Sequence, residues 1–265
     1  MSIPPITLEK YFSIKNKLKI ILKKSKFKKL KKIKNFLFRY DFDNESIFDH
    51  SLARSDQYAA LGYKKIENLL FRYCANSKKF VNHLMSLENK VIIDVGSNIG
   101  EFSKNFIHCK SIIFYAFEPS AECIPALKKN IPNIKIFNIA LSDKKEKRDF
   151  YYNSYWSRDN SFDTISSDLK INFKKKKIQT NRFDNLLSKK SFQNKNIIVK
   201  MDCEGHELNA LIGFENMLGC IKYFLIDIGE SGDDQKNFMQ IKKLLKNFKI
   251  LKRNKTNIVF ENKFL

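Results

Sequence analysis

Read as apolar and polar positions, the chain changes period once, near residue 90. Before that point the apolar residues recur at helical spacing. Tyr11, Leu18, Ile21 and Leu22 form one stripe, and after a phase slip near Ser25 the stripe resumes as Phe27, Leu30, Ile33 and Leu37. This predicts helix over 7–38, with an opposite face that is almost all Lys. Residues 51–88 predict one or two further helices, striped by Tyr58, Leu61, Ile66, Leu69, Leu70 and Tyr73. From Val91 onward, short apolar runs alternate with amphipathic stretches. The runs are Val91–Val95, Ile112–Phe117, Ile134–Ile139, Ile197–Met201 and Ile221–Ile228.

Runs that are apolar on both faces suit a parallel sheet covered by helices. Their β-α-β spacing predicts a doubly wound α/β fold. A boundary is expected between a helical extension, 1–88, and an α/β domain, 89–265. Residues 144–195 break the rhythm. They are polar and Lys-rich around an aromatic knot, "FYYNSYW", and read as an insertion with two short strands and a short helix near Phe183–Leu187. Asp184 suits the first turn of that helix.

Charge changes the picture of the first segment. The chain of 265 residues carries a net +22, and residues 1–40 hold twelve Lys and one Arg against the single acid Glu9, a net +12. A basic amphipathic helix suits an anionic membrane surface, which is the expected partner of residues 7–38; nucleic acid is the weaker reading. The alternative is plain composition bias, since Lys, Asn, Ile and Phe are all abundant. No apolar run approaches the roughly 18 residues that cross a bilayer, and the opening "MSIPPITLEK" has no signal-peptide core. A cytoplasmic location is expected, peripheral on the inner membrane face if the arm binds lipid. Five scattered cysteines without a CxxC pair point to reduced thiols.

The candidate chemistry sits where strands end. The first run exits into Asp94-Val95-Gly96-Ser97-Asn98-Ile99-Gly100, a turn that Gly96 permits and that Asn98 would cap into a helix. The spacing is G-x-x-x-G, which weakens a dinucleotide reading. The second run ends in "YAFEPS", where Glu118 is placed to hold a ribose diol. Turn and acid together predict a nucleoside-containing ligand.

Five blocks, "IDVGSNIGEFS", "YAFEPS", "NIALSD", "VKMDCEGHELNALIG" and "FLIDIGE", stand in the order and spacing of the FkbM-family methyltransferases, which the chain resembles over roughly residues 90–230. Those are class I enzymes using S-adenosylmethionine (SAM). The resemblance implies a Rossmann-like, seven-stranded, mostly parallel sheet whose last strand is antiparallel, with Phe248–Leu251 and Asn257–Glu261 as its final hairpin. It implies that Asp94, Gly96, Ser97, Asn98 and Gly100 surround the methionine part of SAM. Glu118 and the adjoining Pro119 would meet the ribose, and Ala140 the adenine. It implies transfer to a hydroxyl of a sugar, glycan or related small molecule. This chain departs from the family at Cys203, usually a branched apolar residue, and at Asp227, often Glu.

"VKMDCEGHE", residues 199–207, then reads as catalytic rather than as a mere helix start. Methyl transfer to an alcohol requires proximity and removal of the hydroxyl proton. Asp202 is placed to position the sulfonium or amine end of SAM, and Glu204 and His206 to accept the proton. Alternatively Asp202, Glu204 and Asp227 bind Mg²⁺ and acidify the acceptor. In the insertion, Tyr151, Tyr152, Tyr155 and Trp156 either cover a sugar ring while Arg158 and Asn160 bond its hydroxyls, or pack a hairpin's own face. Two other functions compete. One is RNA 2′-hydroxyl methylation, favoured by charge; the chain lacks the Asn/Asp-Pro-Pro-aromatic block of base-amine chemistry. The other is a non-catalytic basic adaptor, disfavoured by the acids at both cofactor positions.

Overall fold

Strands β1 (Lys90–Val95), β2 (Ile113–Phe117), β3 (Lys135–Phe137), β7 (Asn196–Met201), β8 (Tyr223–Asp227), β9 (Phe248–Arg253) and β10 (Asn257–Asn262) form one sheet in the order β3-β2-β1-β7-β8-β10-β9. All are parallel except β10, which runs antiparallel to both neighbours. This computed structural model describes residues 70–153, 161, 162, 173–229 and 232–265. The chain divides into a unit of residues 1–45, outside the described residues, and a unit of residues 46–265. The predicted helix over 7–38 and most of the 51–88 stripe therefore lie outside the description.

The central strands are buried on both faces because both are covered. β1 is buried at all six positions and β7 at all but Asn196. Alternate side chains serve opposite layers, as a strand's period of two requires. Ile93, Val199 and Ile226 face one core, with helix α3 (Glu207–Ile212) and Phe238 and Ile241 of helix α4 (Gly232–Leu244). Ile92, Phe114 and Ile198 face the other, where helix α1 (Lys78–Ser86) contributes Phe80 and Leu84. One helical turn at 70–73 adds Leu70 and Tyr73 to that same core. Ser77 caps α1 by accepting the Phe80 amide at 3.3 Å. The buried ammonium of Lys90 closes the other end of α1, donating to the carbonyls of Met85 and Leu87.

Helix α2 (Ile124–Asn130) links β2 to β3. The turn after β1 does not become the helix that the sequence predicts. Asn98 and Gly100 take φ of +49° and +84°, a left-handed backbone that no α-helix accommodates, so only a 3-10 turn, Ser103–Phe106, follows. Asn98 shapes a turn here instead of capping a helix.

The insertion supplies two strands of a three-stranded sheet. Its strands β5 (Glu146–Asn153) and β6 (Phe173–Asn181) form an antiparallel ribbon longer than the short strands predicted. The ribbon is anchored because β6 also pairs, in parallel, with β4 (Ala140–Leu141). Phe183–Asn185 forms a single 3-10 turn where the short helix was predicted, and Asp184 there receives a two-pronged clasp from Arg182 at 2.8 and 2.9 Å. Residues 154–160, which hold Tyr155, Trp156, Arg158 and Asn160, lie outside the description.

Candidate active site

The strand order reverses between β1 and β7, since β2 and β3 lie to one side of β1 and β8 to the far side of β7. Open α/β sheets bind ligands in the crevice at such a point, beyond the carboxyl ends of the strands. A cleft of about 890 Å³, counting its open mouth, lies there. Its walls include Gly96, Ser97, Asn98, Glu118, Pro119, Ala140, Asp202, Glu204 and His206. Asp94 and Gly100, expected around the cofactor, and Asp227, offered only as a Mg²⁺ ligand, are not among its lining residues.

Gly96 lets the two central loops touch. Its φ is +67°, and a Cβ there would strike the backbone carbonyl of Asp202. Glu118, 6 % exposed, accepts the Asn98 amide at 2.6 Å and the Ser120 amide at 2.8 Å, one on each oxygen. Burial pushes its carboxyl up to about 7, although both amides pull the other way. A carboxylate offers about four acceptor positions, so two remain for the hydroxyls of a diol.

Behind this wall lies a buried ion pair. Asp94 is fully buried and its Oδ2 accepts the Ser103 hydroxyl at 2.6 Å. Its Oδ1 lies 3.3 Å from Nζ of Lys200, the residue opposite it on β7. The contact is an ion pair without hydrogen-bond alignment, and Oδ1 has no aligned donor among the described residues. Lys200 also donates to the Gly96 carbonyl at 2.7 Å. Burial opposes its charge, but Tyr73, Asp94 and Asp202 outweigh burial and hold the ammonium protonated. Asp94 thus fixes the loop from beneath through Lys200. A Cβ at Gly100 would meet Leu127 and Ile131, so that glycine serves packing against α2.

Asp202 is not an unengaged acid. Its Oδ2 accepts the Tyr73 hydroxyl at 2.5 Å and Nη2 of Arg72 at 3.2 Å. The same Nη2 lies 3.4 Å from Oδ2 of Asp227. A guanidinium therefore already occupies the space between these two carboxylates. No group of three His, Cys, Asp or Glu among the described residues is placed to hold a metal ion. Asp202, Glu204 and Asp227 do not fit the Mg²⁺ arrangement the sequence allowed.

Glu204, at φ +49°, and Gly205, at φ +96°, make the sharp exposed turn that carries the chain from β7 into α3. His206 follows, 6 % exposed. Its ring centroid lies 4.3 Å from that of Phe162, and Arg148 lies over the other ring at 4.8 Å. Burial, aided by Arg148, lowers its pKa to about 4, so the imidazole is neutral near pH 7. Its Nε2 lies 3.1 Å from the Ser142 hydroxyl, which donates its proton to Asp143 at 2.8 Å. Ser142 is therefore the acceptor, Nε2 carries the hydrogen, and Nδ1 keeps the basic lone pair. Glu207, predicted only as part of the titratable cluster, instead accepts the Cys203 amide at 2.6 Å and closes the first turn of α3.

A family model, the methyltransferase FkbM domain, matches residues 94–253, which spans more than half of the chain. The chain belongs to the FkbM methyltransferase family. Its turn, its Glu118 and its reversed strand order make up the SAM-dependent class I architecture of that family, and the FkbM protein described here is a SAM-dependent methyltransferase. The cleft fits SAM: Gly96 opens the floor, Glu118 has acceptor positions to spare, and the buried Ser97 hydroxyl has no partner among the described residues.

Similar solved structures are remote. The N-terminal domain of human METTL16 with S-adenosylhomocysteine (SAH) is 11 % identical, with 74 % of this chain and 70 % of that one covered at a TM-score of 0.41. A SAM-dependent methyltransferase from Aquifex aeolicus is 11 % identical over 76 % of this chain and 97 % of that one, at 0.39. M. capricolum TrmK with SAH is 12 % identical over 71 % and 69 %, at 0.34. Among curated proteins none matches.

Several residues of the cleft escaped the sequence reading. Phe150 and Phe162 come from the insertion, and Arg72 and Tyr73 from ahead of the family domain. One signal was present. Lys200 interrupts an otherwise apolar strand run, and a buried lysine requires a partner.

Proposed function

We propose that this FkbM protein transfers the methyl group of SAM to a hydroxyl of a sugar, glycan or related small molecule. The observation that carries the reading is His206: a neutral imidazole in the cleft wall, held through Nε2 by the Ser142–Asp143 pair. Bound SAM supplies an electrophilic methyl carbon on a sulfonium. Glu118 takes both hydroxyls of its ribose. Asn98, Pro119 and Ala140 line its path, and Ser97 supplies a hydroxyl to its polar groups. Asp202, held by Tyr73 and Arg72, presents negative charge to the cationic end of the cofactor. His206 Nδ1 accepts the proton of the acceptor hydroxyl as its oxygen attacks, and Asp143 steadies the resulting imidazolium through Ser142. Glu204, at the exposed rim, meets the acceptor's outer hydroxyls. Phe150 and Phe162 cover the apolar face of a sugar.

The net charge of +22 favours a second acceptor, an RNA 2′-hydroxyl. Labelled SAM offered to a cell glycan fraction and to total RNA separates the two. Label in the glycan fraction alone supports the proposal; label in RNA alone overturns it.

A further inference from the structure

We infer that Arg72, which lies ahead of the matched family domain, is the cofactor's carboxylate-binding residue: its half-exposed guanidinium arm in the cleft wall beside Asp202, at the far end from Glu118, assigns it the amino-acid tail of SAM. The inference rests on the proposed placement of the ribose at Glu118.

The sheet order sets a direction for the ligand. Glu118 follows β2, the Gly96 turn follows β1, and Asp202 follows β7, so the three stand in that order along the cleft. A ligand with its ribose at Glu118 crosses the Gly96–Ser97 backbone and arrives at Asp202. There Arg72 closes the wall, together with Tyr73. At this end the wall carries both charges that a zwitterionic tail needs, an acid for the ammonium and a guanidinium for the carboxylate. Neither Asp94 nor Gly100 reaches the cleft, so the turn itself supplies no charged group to the tail.

The donors of Arg72 are unevenly used. One nitrogen, Nη2, serves Tyr73, Asp202 and Asp227, at 2.9, 3.2 and 3.4 Å. Nε is buried and has no acceptor among the described residues. A guanidinium is a planar set of donors matched to a carboxylate, and 43 % of the Arg72 side chain stays exposed. The Tyr73 ring fixes that plane, lying 4.7 Å beneath the guanidinium carbon. Tyr73 is itself held in the core, edge-on to Phe102 at 5.6 Å. Arg72 is thus oriented before any ligand arrives, and the exposed part of its side chain is left for a carboxylate.

Calorimetry with three ligands tests the assignment: SAH, decarboxylated SAH, and 5′-methylthioadenosine, which lacks the whole amino-acid tail. Wild-type protein should bind SAH about ten- to a hundredfold more tightly than decarboxylated SAH, the worth of one charge-assisted contact. Arg72→Gln and Arg72→Lys should each remove most of that preference and leave 5′-methylthioadenosine binding within about twofold of wild type. Retained 5′-methylthioadenosine binding also reports that the variant is folded. Unchanged discrimination in both variants overturns the inference. So does an equal loss for all three ligands. Glu118→Ala separates the underlying reading, because it should weaken all three ligands together; if it weakens none, the ribose placement fails, whatever Arg72 does.

Discussion

The carboxylate of Glu118 accepts the backbone amide of Asn98 at 2.6 Å, so the acid ending the second strand holds the turn that follows the first. One side chain both shapes the cradle and, on the proposed reading, meets the cofactor.

Its protonation should therefore be visible in binding. Burial raises the group to about 7, and diol binding needs the ionised form. The ionised fraction falls from about nine-tenths at pH 8 to about one-tenth at pH 6, so affinity should drop about tenfold across that interval. The sign is loss of affinity with acid. Glu118→Gln should flatten the profile, and Glu118→Ala should weaken SAM at pH 8 by about tenfold or more. A flat wild-type profile measured by calorimetry would refute the ribose assignment.

His206 should govern turnover and not cofactor affinity. His206→Ala should lower kcat by about a hundredfold or more, with the Kd for SAM nearly unchanged. With its pKa lowered to about 4, wild-type kcat should show no acid limb from this group between pH 8 and 6. Full activity in the variant would move the base to Glu204.

Two glycines with left-handed backbones should respond differently to alanine. Gly205→Ala meets open space and should cost only backbone strain, about 1–3 kcal/mol. Gly96→Ala adds a collision with the Asp202 carbonyl, which is backbone and cannot swing aside. It should cost more than Gly205→Ala by urea denaturation, and should weaken SAM as well. Equal losses would mean that the two loops are not in contact.

Lys200→Met should strand the charge of Asp94 in the core. Removing one partner of a buried pair costs about 3–5 kcal/mol. The double variant Asp94→Asn, Lys200→Met should recover part of that loss, because no unpaired charge is left behind. Strictly additive losses in chemical denaturation would show that the two groups do not interact.

The basic arm carries a separate proposal, that it binds anionic lipid. Each Lys near such a surface contributes about 1 kcal/mol. The full chain should sediment with vesicles containing phosphatidylserine, less so as salt rises, and removal of residues 1–40 should abolish that binding. Equal retention on neutral vesicles would overturn it.

The sheet was legible because its signal is local. Val91–Val95 and Ile197–Met201 are apolar at nearly every position, and strands covered on both faces have that pattern. The Gly96 turn and Glu118 were legible because fixed spacing from a strand end carries them. Arg72 was not. Its role depends on a helical turn at 70–73 reaching across to Asp202, some 130 positions later, and no local pattern encodes that approach. Tyr73 was read as one apolar position of a helical stripe. Its ring does lie in the core, but its hydroxyl sits at the edge of that core, where Asp202 receives it. The expected helix after Gly96 failed for the opposite reason, since Asn98 suits a helix cap and a left-handed turn equally well, and sequence does not distinguish them.

Strand β4 is only two residues long, yet it faces two ways. Ala140 and Leu141 line the cleft, and the same two residues hold β6 and, through it, the whole β5–β6 ribbon. A ligand pressing on Ala140 and a molecule pressing on the ribbon thus act on one shared strand. Any coupling between their binding free energies would run through it and be reciprocal. Whatever factor the first ligand lends to the second, the second must return.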